Sequence, residues 1–129
     1  MDGHLELLKK YKFEKQLNKL NKKLKNKTVL FYGAGSFFKK IQDNYDLSKL
    51  NVVGISDGKY PPNRFNEEEY GYKIVPFSKI NEINPDCILI STLNAFDIYI
   101  HLKKHFDKKY IILPLCNKPF FELLKEVIR

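Results

Sequence analysis

The residues best suited to chemistry in this 129-residue chain are the run Gly33-Ala34-Gly35-Ser36, the lone Asp57, and the run Ser91-Thr92-Leu93-Asn94. A Gly-x-Gly turn between a strand and a helix lets the backbone approach a phosphate closely. The helix N-terminus behind it offers free N–H groups and a partial positive charge. Here Gly33 would permit the tight turn, Gly35 would leave room for a pyrophosphate, and Ser36 would cap the helix or donate a hydroxyl. Phe38 stands where the dinucleotide fingerprint has its third glycine, so that fingerprint is incomplete. Asp57 lies 24 residues after Gly33, close to the spacing of about 20 at which an acidic side chain hydrogen-bonds a ribose diol. A carboxylate there would repel a 2′-phosphate, which favours NAD or a UDP-type ligand over NADP. The pair Asp57-Gly58 also reads as a plain turn. Ser91, Thr92 and Asn94 follow an apolar strand and can reach a ribose or a phosphate, while Thr92 or Asn94 can equally be the N-cap of the next helix.

Other constellations carry less. Tyr99-Ile100-His101-Leu102-Lys103 and the segment 11–15 both fit Tyr-x-x-x-Lys, in which the lysine lowers a tyrosine pKa for proton abstraction. With 8 Tyr and 21 Lys in the chain, about one such match arises by chance, so no catalytic residue is assigned. Asp97, His101 and His105 share a helix face at steps of four, but two lysines separate the histidines and two ligands do not make a metal site. Neither Cys87 nor Cys116 has a Cys or His at ligand spacing. No metal is expected.

The elements needed to position the main groups are legible. Residues 27–32 read as a strand running straight into Gly33, and 37–45 as the helix after it. Residues 51–56 form a second strand ending at Asp57, and 86–91 a third, near-continuously apolar as buried parallel strands are. Residues 94–105 read as a helix, 110–113 as a fourth strand and 119–128 as a last helix with Pro119 at its first position. A short extended piece at 73–75 and a brief helix at 78–83 fill the middle. Alternating strands and helices predict an α/β fold: a Rossmann-like parallel sheet of about four to five strands with helices on both faces. Ahead of it, Leu5, Leu8, Phe13, Leu17, Leu20 and Leu24 recur at helical spacing between lysines, predicting an amphipathic helix over 5–25. The organisation is thus an N-terminal helix (1–26) and a Rossmann-like domain (27–129).

Charge is unevenly placed. The net charge is +8, and residues 1–28 hold nine Lys against Asp2, Glu6 and Glu14, a net of +6. Only Arg64 and Arg129 are arginine, whereas base and phosphate-fork recognition favours Arg, so nucleic acid is not the expected partner. The basic helix 5–25 reads as a packed helix with a solvated face. Its other uses would be docking a partner subunit or a second copy, or lying on an anionic membrane surface. No apolar run approaches the roughly 20 residues of a membrane span, and the N-terminus has no signal-peptide pattern. A cytoplasmic protein is the expectation.

Taken together, residues 27 to about 113 resemble the small Rossmann-like domain of bacterial polysaccharide-biosynthesis proteins. That domain precedes the catalytic part of nucleotide-sugar dehydratases and epimerases, and a relative of it begins sugar acyltransferases. The likeness rests on Gly33-Ala34-Gly35, Gly54-Ile55-Ser56-Asp57, Gly71-Tyr72-Lys73-Ile74 and Asp86-Cys87-Ile88-Leu89-Ile90-Ser91. It implies a nucleotide-binding domain for NAD or a nucleotide-sugar, not catalytic alone and tied to surface-glycan metabolism. Gly33, Ala34, Gly35, Ser36, Phe37, Asp57, Ser91, Thr92 and Asn94 would form the ligand site. Two departures stand out: no catalytic domain follows, and Phe37-Phe38 replace smaller residues. The alternatives are a non-catalytic scaffold that uses the Lys-rich helix, and a CoA-binding or redox-sensing domain.

Overall fold

The computed structural model describes residues 3–116. The expected helix at 119–128 lies outside the described residues. Four strands, β1 (Thr28–Tyr32), β2 (Asn51–Ser56), β5 (Cys87–Ile90) and β6 (Ile111–Pro114), form one sheet in the order β2-β1-β5-β6. Every pairing in it is parallel. β1 is Thr-Val-Leu-Phe-Tyr and β5 is Cys-Ile-Leu-Ile; β-branched and aromatic side chains suit a pleated, doubly covered surface. Val29, Phe31, Cys87 and Leu89 enter one apolar cluster, and Leu30, Tyr32, Ile88 and Ile90 enter a second. Helices cover both faces. α1 (Gly3–Lys10), α2 (Phe13–Lys23) and α3 (Ser36–Asn44) contribute to the first cluster; α4 (Ile80–Ile83) and α5 (Ala95–Phe106) contribute to the second. This is the expected Rossmann-like α/β architecture, with four strands in the main sheet.

The N-terminal segment differs from the single helix expected over 5–25. It is broken between α1 and α2, where Lys12 adopts a left-handed conformation (φ 53°). The cause is a slip in the apolar phase: Leu8 to Phe13 is a step of five, which one straight helix cannot keep on one face. Broken there, the segment buries Leu8, Phe13, Leu17 and Leu24 in the same cluster as Phe31 and Phe38. Its main apolar residues are therefore turned into the chain's own core.

Between β2 and β5 lies an antiparallel pair of two-residue strands, β3 (Glu68–Glu69) and β4 (Tyr72–Lys73), where only an extended piece was expected. Tyr70 (φ 58°) and Gly71 (φ 82°) close it, the positive-φ pair that a tight primed hairpin turn needs. Ile74 then bridges to Ile55, so this hairpin flanks β2.

β1 and β5 are tied at their amino ends. The Thr28 amide donates to Asp86 Oδ2 at 2.8 Å, and the Asp86 amide donates to Thr28 Oγ1 at 2.9 Å. The bond from the Thr28 amide holds the Asp86 carboxyl below its ordinary range. Among the described residues, no helix is long and apolar enough to cross a membrane.

Candidate functional site

The chain leaves β1 at its carboxyl end and crosses through α3 to β2 on one side, while β5 lies on the other. That is the point where strand order reverses, and in open parallel sheets ligands bind in the crevice outside it. Gly33 opens the turn with φ +128°. A β-carbon on it would sit 2.5 Å from Thr92 Cγ2 and 2.9 Å from the Ser91 carbonyl carbon, so no other residue fits. Its amide donates to the Ser56 carbonyl at 2.8 Å, and its carbonyl accepts from Ser91 Oγ at 2.7 Å.

Ala34, fully buried, is held from two directions. Its amide donates to Asp57 Oδ2 at 2.7 Å. Its carbonyl accepts from Lys59 Nζ at 2.7 Å and from the Tyr70 hydroxyl at 3.3 Å. The second Asp57 oxygen accepts the Lys59 amide at 3.0 Å. Asp57 is thus first of all the clasp of the glycine turn; each oxygen still has a lone pair for a further donor.

Gly35 is the N-cap of α3, extended at φ −103°, with no side-chain capping bond. A β-carbon there would meet nothing within 4 Å. Gly35 and Ser36 are exposed, whereas Phe37 and Phe38 are buried. The Phe37 ring packs against His4 with centroids 5.4 Å apart, and Phe38 lies among Phe31, Tyr70 and Tyr72. Both rings turn into the core beneath α3 and leave the turn open. Phe37 can offer a ligand its main-chain amide and no side chain.

The three groups picked from the sequence therefore converge, with changed duties. Ser91 is 1% exposed, and its hydroxyl donates to the Gly33 carbonyl, which braces the turn. Thr92 lines Gly33, and its Oγ1 is buried with no hydrogen-bond partner. Asn94 is exposed and occupies the N-cap position of α5 without a side-chain cap bond. Lys59 and Tyr70 were missed. Lys59 brings a cation to the turn, and Tyr70 reaches it only because the β3–β4 hairpin folds back.

Around this site several hydroxyls are held protonated. Burial, with the Asp57 charge, raises Tyr32. Burial, with the hydrogen bond it donates to Glu69 at 2.8 Å, raises Tyr60 further. Elsewhere, burial pushes the Cys87 thiol up to about 12, the opposite of what a redox-sensing thiolate requires. His101 and His105 both pack on the Phe77 ring, with centroids 5.3 and 4.7 Å away. Comparisons with protein-family models, with curated proteins and with solved structures each return no match for this chain.

Proposed function

We propose that this chain binds a nucleotide through its phosphates, with NAD or a nucleotide-sugar as the ligand class, at the carboxyl ends of β1 and β5. One observation carries the reading: an uncapped helix N-terminus at the strand-order reversal, with open space where the Gly35 side chain would stand. Amides of Gly35, Ser36 and Phe37 supply donors for phosphate oxygens there, reinforced by the α3 dipole. Lys59 brings a positive charge beside Ala34 and shares it with Glu69 at 3.7 Å. The free lone pairs of Asp57 suit a ribose diol. The reading is of a binding domain that works with a catalytic partner, in keeping with the resemblance to polysaccharide-biosynthesis domains.

Calorimetric titration with NAD, UDP-sugars and CoA tests it. Binding by NAD or a UDP-sugar that vanishes in Gly35→Val, with folding intact, supports the reading. Failure of all three to bind at millimolar concentration overturns it.

A further inference from the structure

A cleft lies at the opposite end of the sheet from the glycine turn. Asn18, Asn21, Lys22 and Lys25 stand at steps of three and four along and just beyond α2, so they share one face. With Lys49, from the turn that enters β2, they line a cleft of about 520 Å³, within the size range of small-ligand pockets. Lys25 precedes the start of β1 and Lys49 the start of β2, which sets this cleft about 20 Å from the glycine turn, the length of a six-residue strand.

Its charged lining is cationic. Lys22, Lys25 and Lys49 are exposed, and among the described residues no ion pair engages them. No carboxylate lines this cleft. Asp46 and Glu14 border the adjoining groove, which Asn18, Asn21 and Lys49 also line; hydrogen bonds from Ser48, with the Lys49 charge, hold the Asp46 carboxyl below its ordinary range. Three like charges around a concavity repel one another and focus an attractive field for anions. Asn18 and Asn21 bring neutral donors of the kind that complete a phosphate's shell beside lysines.

We infer that this cleft binds a compact oligophosphate, a ligand bearing two or more linked phosphate groups. Shape selects this class over an anionic bilayer, because the basic residues enclose a concavity. Glu14 and Asp46 in the adjoining groove interrupt the positive stripe that an extended nucleic-acid backbone would track, and the cleft itself has no aromatic lining on which bases would stack.

Inorganic tripolyphosphate is the probe, titrated against the full chain at low ionic strength and followed by amide chemical shifts. The expected result is saturable binding with shifts at residues 18–25 and 49. It weakens about 30-fold or more in K22Q/K25Q/K49Q, and only a few-fold in K10Q/K104Q/K108Q, which removes the same charge elsewhere. Gly35→Asp leaves it unchanged. The inference is overturned by an absence of binding at about 1 mM, by equal losses in the two triple variants, or by loss of binding in Gly35→Asp. A single-stranded oligonucleotide that binds residues 18–25 and 49 more tightly than tripolyphosphate also overturns it.

Discussion

Replacing Gly35 by aspartate sets fold stability and ligand binding against each other at a single atom position. Gly35 is extended at φ −103° with nothing near its absent β-carbon, so any side chain fits without strain. An aspartate there would accept a bond from the first-turn amides of α3, which no side chain caps. Relative to glycine that cap contributes a few tenths of a kcal/mol, and a negative charge at a helix N-terminus adds about 0.3–1 kcal/mol. The fold should gain about 0.5–1 kcal/mol. For a chain of 129 residues, an unfolding entropy of about 2.1 cal/mol/K per residue turns that into a rise of about 2–4 °C in Tm. The same carboxylate would occupy the amides proposed to hold phosphate and place like charges about 4 Å apart, a repulsion of up to about 4 kcal/mol at a partly exposed site. Nucleotide affinity should fall by about 100-fold or more. Thermal unfolding by circular dichroism, run beside calorimetric titration, measures both. A variant that is more stable yet still binds NAD or a UDP-sugar as the parent does would refute the placement of phosphate at this turn. One that loses stability would refute the reading of an open, uncapped helix end.

Gly33 should behave in the opposite way: Gly33→Ala places a β-carbon 2.9 Å from the Ser91 backbone at φ +128°, and a loss of about 3 kcal/mol or more is expected from strain and overpacking in denaturant unfolding; a loss below about 1 kcal/mol would contradict the tight sandwich. Asp86 has a depressed carboxyl pKa because of the Thr28 amide, so its contribution is complete above the unfolded carboxylate value of about 3.9 and disappears as pH falls through the lower folded value. Asp86→Asn should therefore lower Tm at pH 7 and converge with the parent near pH 2; a gap undiminished at pH 2 rules this out. Cys87, buried with its thiol pushed up to about 12, should resist a thiol reagent at pH 8 until denaturant is added, and labelling of the native protein at a free-thiol rate would show the strand opening.

The parallel sheet was readable because β1 and β5 are short apolar runs bounded by turn residues, and because both faces of such a sheet demand apolar side chains. The glycine turn was readable for the same reason: its place between strand and helix follows from local order. What escaped depends on contacts between distant segments. Glu68 and Glu69 look like solvated acids and become a strand only opposite Tyr72 and Lys73. The Tyr70-Gly71 pair lacks the Asn-Gly signature of primed turns, so nothing local announced the hairpin that carries Tyr70 to Ala34. Ser91 looked like a ligand contact because its position matched, yet only the approach of Gly33 decides that its hydroxyl turns inward. The break at Lys12 was visible as a five-residue step in the apolar pattern and was absorbed into an otherwise regular helical spacing.

The two central strands are buttoned together at top and bottom, by Thr28 with Asp86 at one end and by Gly33 with Ser91 at the other. A register slip between them would have to undo both fastenings at once, so their amides belong to the slowest class in hydrogen exchange. β2 instead meets β1 across a register irregularity between Val29 and Leu30. The turn above that irregularity is nonetheless fastened to the β2 side as well, by the Gly33 amide on Ser56 and the Ala34 amide on Asp57, so a guest at the glycine turn would meet a seat braced from both neighbouring strands.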